Sequence, residues 1–210
     1  WDGFRGTPRL VRSFQYQDNE SPKADEILDK RGIFFDKNRS IDITTSVTGT
    51  FTTEGWAVYK YTNLQSNGEP GKNTTFPDTD FPMFRLGDVY LMYAEAVARG
   101  GEGGDLATAV NYINALRERA YGDTYHNITE SWLLENNLQN ILDERCRELY
   151  WEGVRRTDLI RFGLYTSPNY LWTFKGGVLN GVGVDSRYNV FPIPTTDMSV
   201  NGNLKQNEGY

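Results

Sequence analysis

The chain has 210 residues, 38% of them hydrophobic, 24% charged and 14% aromatic, with a net charge of −6. That is enough apolar material for one sizeable core, or a core with a loose lobe, and there is no basic excess to hold a polyanion, which argues against nucleic acid as a partner. One cysteine, Cys146, rules out an intrachain disulfide, and one histidine, His126, argues against a histidine-based zinc site.

No run approaches the ~18 apolar residues of a membrane-spanning helix. The chain opens on Trp1 without a methionine or a signal peptide, which reads as a mature or trimmed product. Residues 1–82 are rich in Gly, Asp, Asn, Ser and Thr and show little helical periodicity, the pattern of a loop-rich lobe. Within it, Pro8 to Phe14 suits a short helix carrying Leu10, Val11 and Phe14. Ser40 to Thr53 alternates Ile41, Ile43 and Val47, and Gly55 to Tyr61 alternates Trp56 and Val58 against Ala57 and Tyr59, so both are short strand candidates.

From Pro82 a helical period sets in. Leu86, Val89, Tyr90, Tyr93, Ala94 and Val97 form one face of a helix that stops at Gly100-Gly101. Asp105 offers an N-cap for a second helix, with Leu106, Ala109, Val110, Ile113 and Leu116 on one side. A short glycine-rich turn between two helices predicts an antiparallel pair, and Ala94, Ala96, Ala98, Ala107 and Ala109 permit close approach, as in tetratricopeptide-like pairs. No ~34-residue repeat is visible. A third helix starts at Thr129 or Ser131, presents Leu134, Leu138, Ile141, Leu142 and Leu149 to the core and ends at Gly153. After Gly163, glycines and Phe191-Pro192-Ile193-Pro194 force an irregular path, with Thr195 or Thr196 capping a last turn. The predicted fold is mainly α: antiparallel helix pairs (83–163), a loop-rich cap with a few short strands (1–82) and an irregular C-terminal segment (164–210).

Charged side chains crowd the stretch from Asp143 to Gly163, DERCRELYWEGVRRTDLIRFG, while Leu149, Tyr150 and Trp151 follow one another, so more than one helix face must be covered. Charges buried in such a setting need partners. Asp143 with Arg147, Arg145 with Glu148, and Arg155 with Asp158 and Arg161 have spacings that meet on a helix, which predicts an ion-pair network; Cys146 reads as a buried structural thiol. Glu144, Glu148 and Glu152 form a carboxylate ladder of the kind a glycosidase could use, but the interleaved arginines should lower their pKa values, whereas a general acid needs one raised. Ser131, His126 and Asp123 lack the G-x-S-x-G elbow of a hydrolase, Gly100 to Gly104 lacks the lysine of a phosphate loop, and no D-x-D-x-D-G string specifies calcium. The expectation is a non-enzyme with no cofactor and no metal site.

The run E-R-x-R-E-L-x-x-E-G-x-R-x-x-D-L-I-R-x-G at Glu144 to Gly163 resembles a signature of the SusD-like (RagB/SusD) family, the surface nutrient-binding lipoproteins of Bacteroidota. FRLGDVYLMYAEAVAR at Phe84 to Arg99, INALRERA at Ile113 to Ala120, YLWTFKGG at Tyr170 to Gly177 and the ending FPIPTTDMSVNGNLKQNEGY extend the likeness in the family's order. The last of these departs from the family's usual Asn-Pro and Asn-Pro-Gly-Tyr at Asn201-Gly202 and Asn207-Glu208-Gly209-Tyr210. The resemblance implies a tetratricopeptide-like fold and a non-catalytic glycan-binding protein on the outer membrane. Such a protein would hand oligosaccharide to a SusC-like TonB-dependent transporter and be held to the membrane only through a lipid anchor outside this sequence. Family members are more than twice as long, and this chain looks like their C-terminal part. Three alternatives stay open: a bound peptide, a scaffold that grips a protein, and a carbohydrate-active enzyme. Sugars stack their C–H faces on indole and phenol rings, so Trp1, Trp56 and Trp172, in or beside loops, and Tyr59 of the second strand candidate are the candidate ligand platforms; the competing role for such aromatics is to plug a satellite core.

Overall fold

The computed structural model describes residues 4–45, 52–73 and 75–210. Two compact units make up the chain, Trp1–Val154 and Arg155–Tyr210.

The first unit is built on a helix pair, α2 (Leu86–Ala98) and α3 (Leu106–Tyr121). Both carboxylate oxygens of Asp105 hold Thr108, Oδ1 accepting from its backbone N at 2.8 Å and Oδ2 from its hydroxyl at 2.8 Å, so Asp105 caps α3 as the sequence predicts and satisfies one of its orphan donors. Gly122, at φ 84°, ends α3 in the left-handed conformation that glycine adopts without penalty. Ala94 and Ala109 are completely buried between the helices, and Tyr90 stacks on Tyr112 with ring centroids 4.2 Å apart. Leu91, Ile113, Leu133, Ile141 and Leu149 complete this core, each fully or almost fully removed from water and worth about 1.5 to 3 kcal/mol.

The third helix is not continuous. It consists of α4 (Glu130–Leu134), capped by the Thr129 hydroxyl, and α5 (Gln139–Leu149). Between them Asn136, Asn137 and Leu138 take φ values of 54°, 51° and 63°. Asparagine tolerates the left-handed region better than most residues, so the Asn-Asn pair is where the helix breaks. The break rotates the register: Leu133 is fully buried, whereas Leu134, expected in the core, is 47% exposed. At the other end α5 stops at Leu149 rather than Gly153, because Tyr150 is extended and Trp151 is left-handed at φ 65°.

A second apolar cluster of the same unit holds the loop-rich lobe together. Val11 from α1 (Pro8–Val11), Phe14, Tyr16, Phe34, Trp56 and Tyr150 pack into it. Its frame is a two-stranded antiparallel ribbon, β1 (Phe34–Phe35) and β2 (Ala57–Val58), with Phe34 opposite Val58 and Phe35 opposite Ala57. β2 falls in the predicted 55–61 strand, while β1 has no forewarning in the sequence. Of the other predicted strand, 40–53, Ser40 makes a single parallel bridge to Glu54, and residues 46–51 lie outside the described residues.

The second unit contains α6 (Arg155–Arg161) and α7 (Thr195–Val200) within long irregular segments. Arg161 Nη2 donates to Asp158 at 2.9 Å, the predicted i,i+3 pair. Buried Lys175 is the hub of the 167–175 turn, its ammonium donating to the carbonyls of Ser167 (2.6 Å) and Tyr170 (2.7 Å). α7 begins after Pro194, which puts Thr195 inside the helix instead of at its cap.

Candidate ligand-binding site

Where ligand can bind depends first on which polar groups the fold has already consumed. Glu144 is completely buried and holds three arginines: Oε2 accepts from Arg117 Nη1 at 2.7 Å and from Arg147 Nη2 at 2.6 Å, and Oε1 lies 2.7 Å from Arg31 Nη1. One turn on, Glu148 accepts from Arg85 at 2.5 Å, from Arg119 at 2.6 and 2.7 Å and from Arg31 at 3.1 Å. Glu152 closes the ladder on Arg85 (2.7 Å) and Lys60. The predicted network therefore exists, but apart from Arg147 the partners of these glutamates come from distant parts of the chain. Asp143 does not meet Arg147; it accepts from Gln139 at 2.9 Å. Arg145 turns to Asp88 (2.9 Å) instead of Glu148, and Asp88 sits in the first turn of α2, where the helix dipole also favours an acid. A Cβ on Gly87 would stand 2.6 Å from Arg85 Nη1 and 2.7 Å from Glu148 Oε1, so a larger residue there would push this pair aside.

Burial alone would push these carboxyls up, yet the surrounding guanidiniums outweigh it. Arg147, Arg31 and Arg117 hold Glu144 well below the usual carboxylate range, and hydrogen bonds from Arg119 and Arg85 with the charge of Arg31 bring Glu148 down to about 2. Glu152 is lowered too, burial being outweighed by Arg85 and Lys60. A depressed folded-state pKa contributes stability that is complete above the unfolded value of 4.5 and is lost as the pH falls through that of the folded state. The expected result is a fold that loses roughly 2 to 3 kcal/mol between about pH 5 and pH 2 from Glu148 alone. Urea midpoints measured from pH 7 downward check this, and a midpoint that stayed flat to pH 3 would contradict it.

The sequence-predicted platforms fare unequally. Trp1 lies outside the described residues. Trp56 is only 3% exposed, with Tyr16 edge-on at 5.8 Å and Phe34 at 6.1 Å, so it is a core residue with no face for a sugar. The reason is β2, which turns Trp56 inward to the second cluster. Tyr59, just past the strand, is 48% exposed and stacks one face on Phe35 at 5.5 Å, leaving its other face outward. Trp172, in the second unit, is half-buried beside Tyr165 (6.1 Å), with Lys175 Nζ 4.7 Å from its ring centroid.

Sequence reasoning missed two clefts in the first unit. One, of about 430 Å³, lies between residues 12–22 and the helices α3, α4 and α5, with Trp132 and Tyr121 among its walls. The other, of about 380 Å³, opens beside the ion pairs and is lined by Lys30, Lys60, Tyr61, Arg119 and Glu148. Their walls join residues about a hundred positions apart, so no local pattern announces them. Trp151, assigned by sequence to a helix, is 43% exposed in its left-handed turn and meets Phe4 edge-to-face at 5.3 Å.

Known proteins bring these features together. The family model described as the SusD family matches residues 36–210. The chain is 46% identical over 159 residues to the Starch-binding protein SusD of Bacteroides thetaiotaomicron, a match covering 75% of this chain and 26% of that protein. It is 33% identical over 132 residues to SusD-like protein P25 of Formosa agariphila, covering 61% of this chain and 24% of the relative. The chain thus spans about a quarter of the length of these relatives. A crystal structure of a SusD-like protein from Bacteroides fragilis superposes on 99% of this chain and 47% of its own, with a TM-score of 0.64 at 19% identity, a likeness of fold. A family match that runs from residue 36 through the carboxylate ladder to Tyr210, on a helix-pair fold that SusD-like structures share, means that the chain belongs to the SusD family.

Proposed function

We propose that the chain belongs to a non-catalytic glycan-binding protein of the bacterial surface, which passes oligosaccharide to a SusC-like TonB-dependent transporter in the outer membrane and is itself tethered by a lipid anchor. The observation that carries the glycan reading is the 46% identity, over three quarters of the chain, to a protein named for starch binding. The state of the acids supports the non-catalytic part. Each carboxylate of the ladder is neutralised by arginine and lowered in pKa, whereas glycoside hydrolysis needs one carboxylic acid kept protonated beside the scissile bond. Rigid elements commonly present ligand platforms on their loops, and among the predicted aromatics Tyr59 is 48% exposed and Trp172 half-buried.

Calorimetric titration with neutral oligosaccharides, maltotriose first, should give weak saturable binding with no release of reducing ends. Tyr59→Ala should weaken it about two- to tenfold, the value of one aromatic contact, at an unchanged melting temperature. Absence of binding across a glycan array would remove the glycan reading. Turnover that disappeared in Glu148→Gln would remove the non-catalytic one.

A further inference from the structure

The larger cleft has the chemistry of a sugar subsite and no part in the ion-pair core beyond its floor. We propose that it binds one residue of a neutral saccharide. Three properties support this. The first is charge. Arg117 and Arg147 on the floor share buried Glu144, Arg12 at the rim faces Asp42 at 3.6 Å, and Asp143 adds a negative charge, so an anion would gain little here and a cation no more. The second is the mix of donors and acceptors. Asn140 donates its Nδ2 to the Trp132 carbonyl at 2.7 Å and Asp143 Oδ1 accepts from Gln139, which fixes both side chains. Asp143 Oδ2 remains as an acceptor and the Arg12 guanidinium as a donor in the lining, the mix that a ring of hydroxyls requires. The third is apolar surface. Trp132 is half-buried with Arg117 Cζ 5.6 Å from its ring, a rigid indole wall of the kind C–H faces pack against. A cleft of about 430 Å³ lies within the range of small-molecule sites.

This inference rests on the glycan-binding reading, and its test separates the two. The full chain, labelled with ¹⁵N, is titrated with maltotriose, cellotriose, xylotriose and mannotriose, with trialanine as a comparison. At least one trisaccharide should shift the Trp132 indole N–H and the Asn140 side-chain amide. Arg12→Ala and Asp143→Asn should each weaken the apparent affinity at those resonances about three- to tenfold, the worth of a hydrogen bond, without lowering the melting temperature. Shifts confined to resonances outside the cleft would overturn the subsite and leave the glycan reading intact. Shifts at Trp132 that persist at parental affinity in both variants, or that trialanine alone produces, would also overturn it. If no saccharide moves any resonance, both readings fall.

Discussion

Glu144→Ala should unfold the chain or lower its stability by about 3 to 5 kcal/mol, because it removes the carboxylate that three buried or part-buried arginines share. Glu144 has no solvent exposure, and without it Arg31, Arg117 and Arg147 would lose their shared counter-charge, with buried Asp29 and Glu148 left to hold Arg31. Repulsion and lost hydrogen bonds would then act together. The loss would not stay local: Arg31 belongs to the loop-rich lobe, Arg117 to α3 and Arg147 to α5, so the cluster ties three segments to one carboxylate. The measurement is the urea midpoint or the melting temperature, with Gly87→Ala as a milder companion that crowds the Arg85–Glu148 pair without deleting a charge. A Glu144→Ala melting temperature within a degree of the parent would show that water screens these charges.

Trp56→Ala should cost about 3 to 5 kcal/mol, the usual range for deleting a buried indole. Trp56 bridges β2 to the Tyr16 and Phe34 rings, and Tyr16 in turn donates its hydroxyl to the Val11 carbonyl at 3.0 Å, so the cavity would open in the middle of the second cluster. For a chain of this size the drop in melting temperature is on the order of 10 °C. Trp56→Phe, which keeps much of the apolar volume, should lose distinctly less. Unchanged melting in the alanine variant would mean that the lobe is not organised around this ring, and would restore Trp56 as a ligand platform.

Local chemistry made much of the helical part legible. The caps at Asp105 and Thr129, the glycine stop after α2 and the three-and-four spacing of apolar residues each act within a turn or two of the backbone, so reading them needs no knowledge of the fold. The carboxylate–arginine composition of α5 announced an ion-pair network for the same reason: charges on a helix with too many apolar faces must be buried, and buried charges must be paired. Where the reading went wrong, longer-range forces decided. Intrahelical spacing suggested Asp143–Arg147 and Arg145–Glu148, yet packing brought Arg31, Arg85 and Arg119 to Glu148 and Asp88 to Arg145, from segments whose approach no spacing encodes.

By itself, the sequence determined the family, the helix pair and the pairing of the acids with arginine, because motif, period and charge are properties of residues a few positions apart. Only the tertiary structure decided which arginine meets which acid, that Trp56 is core while Tyr59 is surface, and that residues 12–22 and α3, α4 and α5 enclose a cleft. Each of those outcomes depends on the loop-rich lobe docking onto the helices, and docking is set by the summed burial of side chains far apart in the chain.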